Sequence, residues 1–172
     1  CDWYRKVIEG GEGSFVELSA LNFANLSYGM ERYEDAYSGY KALRDNARIE
    51  NNKHTAVVGM MNSAYAAKDY QTAIRDAAAV GADLASDNDD KRRAEYVEAK
   101  SRLAISDRSG AFAIFSRLAS ERSTPEGAEA AYLVEDNGAF VAILKGAQLT
   151  AEHKDKTIRQ ANGRGGFGNA AK

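Results

Sequence analysis

The chain has 172 residues, a length that suits one domain with a sizeable hydrophobic core. Hydrophobic residues make up 44% and charged residues 28% of it, close to the average for globular proteins, which excludes wholesale disorder. The formal net charge of −2 gives no electrostatic attraction to nucleic acid or to an anionic membrane. No apolar run approaches the roughly 20 residues that a bilayer-spanning helix needs. We therefore expect neither nucleic acid nor a membrane-spanning segment.

The segment composition predicts an all-α protein. A single proline serves the whole chain, and no segment shows the apolar–polar alternation of a surface strand. "STPEG" places Thr124 as the N-cap and Pro125 at the first position of a helix, and "SDNDD" (86–90) supplies turn and cap residues for another. The predicted helices are 2–9, 14–28, 32–48, 53–66, 70–84, 90–105, 109–121, 125–136 and 139–148, with a weaker one over 150–161.

Two stretches of the chain repeat one another at a fixed distance. When "NFANLSYGMERYEDAYSGYKAL" is placed above "GMMNSAYAAKDYQTAIRDAAAV", four pairs of like residues are each 37 apart: Asn25 and Asn62, Tyr28 and Tyr65, Tyr33 and Tyr70, Ala36 and Ala73. A looser third copy follows, with Ala111 placed 38 residues after Ala73 and with Phe115 and Leu118 continuing its face. The sequence therefore predicts repeated helix pairs, in which small residues allow close approach and aromatic side chains fill the gaps.

These stretches resemble a known family. "YEDAYSGYKAL" and "YQTAIRDAAAV" are similar to the second helix of the tetratricopeptide repeat, and "ALNFANLSY" and "VVGMMNSAY" to its first helix. The resemblance covers about residues 14–133 and implies a right-handed α-α superhelix, a solenoid of antiparallel helix pairs. The period of 37–38 exceeds the usual length of about 34, so long loops are expected. "TPEGAEAAYL" (124–133) also resembles long-loop repeat proteins of bacterial cell envelopes, which favours the periplasm or the outer membrane over the cytoplasm.

The repeats define the expected domain organisation. A repeat domain over 1–149 contains units at about 14–50, 51–88, 89–123 and 124–149, preceded by a closing helix over 2–9. Residues 150–172 are expected to form a short polar helix and a flexible glycine-rich tail. Cys1, the only cysteine, is open to two interpretations: a lipidated first residue of a bacterial lipoprotein, or the edge of a longer chain.

The residues that carry chemistry form no recognisable catalytic or metal-binding pattern. His54 and His153 have no second His or Cys at ligand spacing, and both are expected to be solvated surface residues. The aspartates of 87–90 are interpreted as a helix-capping loop, because Lys91 and the arginines that follow it occupy the part of the segment where a calcium loop needs glycine. "GRGGFG" (163–168) matches a dinucleotide fingerprint without the required preceding strand. We expect no enzyme, no metal and no cofactor.

The resemblance implies that the first helix of each pair lines the concave side. The candidate partner-binding residues share that position, and they are Asn25, Tyr28, Asn62, Tyr65, Arg93, Tyr96 and Lys100. An asparagine amide both donates to and accepts from a peptide backbone, and tyrosine offers contact area with few rotors. The open alternative is that the tyrosines pack between helices. We expect a non-catalytic scaffold that binds a protein or peptide. The alternative is an assembly segment of a larger envelope protein that self-associates through its terminal helices.

Overall fold

A computed structural model of the protein describes residues 6–8, 10 and 14–135. Six helices follow in chain order: α1 (Ser14–Gly29), α2 (Tyr33–Asn46), α3 (Glu50–Ala66), α4 (Tyr70–Ala82), α5 (Asn88–Ala104) and α6 (Arg108–Leu118). Residues 125–135 are also helical and are called α7. The described residues contain no strand, so the prediction of an all-α protein is confirmed. None of the described helices has both the length and the apolar character of a bilayer span.

The chain divides into two compact units, Cys1–Ala131 and Tyr132–Lys172. In the first unit, residues 6–8 and 10 are helical, while the rest of the predicted closing helix lies outside the described residues. Only 132–135 are described in the second unit, and they are helical. The predicted helices 139–148 and 150–161 and the predicted tail lie outside the described residues.

Consecutive helices pack against each other from α1 through α6. The first helices of successive pairs also touch, α1 with α3 and α3 with α5. The backbones of the second helices α2 and α4 do not approach to the same extent in the described part of the chain, although Arg75 Nη2 on α4 donates to the Tyr37 hydroxyl on α2 at 2.9 Å. The first helices therefore lie closer together than the second helices do.

The turn inside each helix pair has the same backbone conformation. The residue with a positive φ angle is Glu31 (58°), Lys68 (63°) or Ser106 (68°). The N–H of the next residue, which is Arg32, Asp69 or Asp107, donates to the carbonyl five residues earlier at 2.8, 2.9 and 2.8 Å, the bond of a Schellman motif. Corresponding turn residues are 37 and 38 positions apart, as the sequence period predicts.

The core repeats with the same period. Each second helix buries a small residue, a residue four positions later and an aliphatic residue three positions after that, all at most 8% exposed. These sets are Ala36, Tyr40 and Leu43; Ala73, Ala77 and Val80; and Ala111, Phe115 and Leu118. Ala20 and Ala24 of α1 are also fully buried. Small side chains thus stand where helices approach closely, as predicted.

The loop between α4 and α5 folds back onto α3. The His54 side chain is only 17% exposed, and its Nδ1 lies 2.8 Å from Asp83 Oδ2 and its Nε2 lies 3.2 Å from Asp90 Oδ2. The expectation that His54 is a solvated surface residue is wrong, because Asp83 at the end of α4 and Asp90 in the first turn of α5 cover it. Asp87 accepts from the N–H groups of Asp89 and Asp90 at 2.8 and 2.9 Å, which confirms the capping loop.

Candidate partner-binding surface

The seven candidate residues lie on α1, α3 and α5, the helices that pack side by side. We call the surface they form the first-helix face, and its members are Asn25, Tyr28, Asn62, Tyr65, Arg93, Tyr96 and Lys100. Each of them is exposed or half-exposed. Within α1 and within α3 an asparagine is followed three residues later by a tyrosine, a spacing that puts both on one side of a helix. The side chains are therefore accessible to a partner, although they are not all free.

Asn25 and Tyr28 contact α2, the partner helix of α1. The Tyr40 hydroxyl donates to Asn25 Oδ1 at 2.8 Å. The ring of Tyr28 packs edge-on against Tyr33, with 5.3 Å between the ring centroids. The side-chain oxygen of Asn25 accepts this hydrogen bond, but the residue is exposed, and its Nδ2 group donates no hydrogen bond within residues 14–135. The asparagine thus combines a structural bond with donors available to a ligand.

Asn62 and Arg93 meet across the boundary between two helix pairs. Arg93 Nε on α5 donates to Asn62 Oδ1 on α3 at 3.3 Å. In the part of the chain that the structure describes, Arg93 forms no ion pair, in contrast to Arg92 beside it, which contacts Asp89, Glu121 and Glu126. The structure therefore brings an amide and an uncompensated positive charge together on the first-helix face.

Tyr96 and Lys100 of α5 share one carboxylate on α7, which the sequence did not reveal. The Tyr96 hydroxyl donates to Glu129 Oε2, and Lys100 Nζ donates to Glu129 Oε1 at 2.9 Å. Lys100 Nζ also lies 5.8 Å from the centroid of the Tyr96 ring. Burial, followed by the hydrogen bond to Glu129, raises the pKa of Tyr96, while the bonds from Tyr96 and Lys100 lower the pKa of Glu129. Glu129 is thus a further member of this surface.

Glu129 was missed because the fourth copy of the repeat is the least regular. The pairing joins residues 33 positions apart, and no aligned pair in the sequence marks it. The available signal was chemical: "GAEAAYL" places an acid on the helix that follows the basic and aromatic positions of α5.

The aromatic residues of the first helices pack within their own helix pairs. Tyr65 lies edge-on to Tyr70 at 6.2 Å between centroids, and Tyr96 lies edge-on to Phe115 at 6.5 Å. Together with the contact of Tyr28, these contacts repeat in all three pairs. The interpretation that the tyrosines pack between helices therefore describes part of their role. The rings fix the first-helix face, and the polar groups of Asn25, Asn62 and Arg93 are its more available parts.

The chemistry of the described residues gives no metal centre. No group of three or more His, Cys, Asp or Glu side chains is placed to hold a metal ion within them. Both ring nitrogens of His54 contact carboxylates, those of Asp83 and Asp90. Comparisons of the chain with protein-family models, with curated proteins and with solved structures find no match.

Proposed function

We propose that the protein is a non-catalytic interaction scaffold of the tetratricopeptide-repeat type, and that its first-helix face binds a protein or an extended peptide. The observation that supports this most directly is the contact between Asn62 and Arg93, whose atoms Oδ1 and Nε are 3.3 Å apart. Polar side chains of two repeat units are adjacent there, so a single ligand can reach both. A ligand that spans several units also gains from a stack whose units hold each other in place.

The relative packing of the helices supports a curved, solenoidal arrangement. α1 touches α3 and α3 touches α5, whereas α2 and α4 leave a cleft between them. An array whose first helices are closer together than its second helices curves towards the first helices. The first-helix face then lies on the inner side, which is where a right-handed α-α superhelix presents its binding surface.

The hydrogen-bonding groups on this surface suit an extended backbone. In Asn25 and Asn62 the oxygen accepts from Tyr40 and Arg93, respectively, which leaves the Nδ2 donors for peptide carbonyls. Leu18 is 57% exposed on the same helix as Asn25 and offers apolar contact area. Recognition of backbone groups tolerates many sequences, so additional specificity depends on Arg93 and on the Tyr96, Lys100 and Glu129 group.

A second candidate function is assembly through the N-terminal end of the stack. Three large apolar side chains on α1 are exposed, Phe15 at 74%, Leu18 at 57% and Leu26 at 48%. Exposed apolar side chains of this size on one helix are typical of a surface that packs against another chain or segment. The protein is then a building segment of a larger assembly, and self-association replaces ligand binding as its role.

Affinity capture from native lysate tests the first proposal. The face variant Asn62→Ala with Arg93→Ala removes both members of the interhelical bond, so neither is left without its partner. Its matched control is Arg44→Ala with Asn46→Ala, which removes the same residue types from exposed positions on α2. We expect the control to retain a captured partner that the face variant loses, with equal helical circular dichroism.

Light scattering separates the two candidates. Substitution of Phe15 and Leu26 by serine leaves the first-helix face intact. If these substitutions lower the molar mass, and the face variant captures the same proteins as wild type, the assembly role replaces the binding role. If the molar mass is unchanged and only the face variant loses its partner, the scaffold role stands.

A further inference from the structure

A cleft lies between the second helices α2 and α4. It has a volume of about 490 Å³, which falls in the range of roughly 300–1,000 Å³ that is typical of small-ligand sites. Six of its lining side chains are charged or aromatic: Tyr33, Glu34, Tyr37, Lys41, Asp69 and Arg75. Two tyrosines, two acids and two bases therefore share one concave surface.

The two bases of the cleft are neutralised by their own helices. Lys41 Nζ lies 3.0 Å from Asp45 Oδ2, which Arg44 Nη2 shares through Oδ1 at 2.9 Å, and Arg75 Nε lies 3.0 Å from Asp76 Oδ1. Over residues 14–135 no cation lies within ion-pairing distance of Glu34 or Asp69. The cleft and its immediate ion-pair partners therefore carry four carboxylates and three cations, a net charge of −1 that comes from Glu34 and Asp69.

The carboxylate that compensates Arg75 is itself buried. Asp76 is 5% exposed, and its Oδ2 has no hydrogen-bond partner among the residues described here. Arg75, which binds the other oxygen of Asp76, also donates from Nη2 to the Tyr37 hydroxyl at 2.9 Å. Burial and then the charge of Asp76 raise the pKa of Tyr37, while the charges of Arg75 and Arg44 act in the opposite direction.

The tyrosines add a second form of attraction for a cation. Tyr33 and Tyr37 are four residues apart on α2, so their rings line the same side of that helix. The face of a tyrosine ring attracts an ammonium or guanidinium group, and its edge contacts an aliphatic stem. We propose that this cleft binds a lysine or arginine side chain of a partner protein, with Glu34 and Asp69 as the counter-charges. This inference does not depend on what the first-helix face binds.

Nuclear magnetic resonance titration of the full chain with capped single amino acids tests the cleft directly. The probes are N-acetyl-lysine methylamide and N-acetyl-arginine methylamide. N-acetyl-norleucine methylamide is the control, because it has lysine's aliphatic stem without the charge. We expect a saturable shift of backbone amides in 33–41 and 69–75 with one or both charged probes, and at least tenfold weaker binding of the norleucine probe. Added salt should weaken the charged probes selectively.

Two double variants separate local charge from net charge. Glu34→Gln with Asp69→Asn removes the proposed counter-charges, and the asparagine keeps an acceptor for the Thr72 N–H that Asp69 caps at 3.2 Å. Glu50→Gln with Asp89→Asn makes the same net change outside the cleft. We expect at least tenfold weaker binding for the first variant and unchanged binding for the second. Equal losses in both, or equal binding of the norleucine probe, would overturn the proposal.

Discussion

Gly59 lies in the middle of α3, where the ring of Tyr40 from α2 occupies the space of a side chain. A Cβ atom at Gly59 would be 2.5 Å from both Cδ1 and Cε1 of that ring and 2.6 Å from Cγ, whereas ordinary contacts begin at 3.4 Å. Tyr40 is 8% exposed, and its hydroxyl is tied to Asn25. The ring therefore has little freedom to move. Gly59→Ala should destabilise the protein, although alanine is the better helix former.

Two opposing terms set the size of this effect. Overpacking by one methyl group costs about 1–3 kcal/mol in a well-packed core. Replacement of a helical glycine by alanine gains up to about 1 kcal/mol. Because three ring atoms must move by nearly 1 Å, we place the overpacking term in the upper half of its range and expect a net loss of about 1–2 kcal/mol. For a chain of this length that corresponds to a fall in Tm of roughly 2–8 °C.

Gly81→Ala is the matched control for urea and thermal unfolding. Gly81 lies in the last turn of α4, and a Cβ there meets nothing within 4 Å. The same chemical change should therefore raise the free energy of unfolding by up to about 1 kcal/mol. The packing account is refuted if the two substitutions change stability in the same direction, or if Gly59→Ala still destabilises after Tyr40→Ala has removed the ring.

Two further predictions concern Asp107, whose carboxylate caps α6 and also binds Arg102. Asp107→Ala should lower the free energy of unfolding by about 1 kcal/mol, while Asp107→Asn, which keeps the cap, should lower it by less; urea unfolding measures both. The pKa of Asp107 is lowered mainly by the hydrogen bond from the Gly110 N–H and next by the one from Arg102. The pKa of Asp83 is lowered mainly by the hydrogen bond from the Ala85 N–H and next by the one from His54. A carboxylate whose pKa is lower in the folded state than in the unfolded state stabilises the folded protein above about pH 4, and this contribution is lost as the pH falls through the folded pKa. The urea midpoint should therefore drop on acidification. Asp107→Asn should flatten that dependence on pH. A midpoint that rises on acidification would contradict the assignment.

The sequence predicts the helix pairs because each copy of the repeat packs its two helices with similar residues at corresponding positions. Ala36, Ala73 and Ala111 recur at the period of the turns, so alignment of the chain with itself finds them. Helix starts are less predictable. α3 begins at Glu50, three residues before the predicted start at 53, and its N-cap residue Ile49 has no capping side chain that would mark the start in the sequence.

The contacts between distant segments are what the sequence does not predict. His54 is enclosed by residues 29 and 36 positions later in the chain, and that contact exists only because the α4–α5 loop folds back. The link from Tyr96 to Glu129 likewise depends on where α7 lies relative to α5. For the first-helix face, the register of the repeat identifies which positions are accessible. The residues that contact each of those side chains depend on the geometry of the loops between the helices.

Site-specific photo-crosslinking tests the central claim, that the first-helix face binds the partner. A photoreactive residue is placed at position 62 or 93 on that face, and at the exposed positions 113 or 116 on α6 as controls. We predict that a single protein or peptide partner from native lysate is crosslinked at 62 and 93 and not at 113 or 116. Equal crosslinking at all four positions, or crosslinking at the α6 positions alone, would contradict the account.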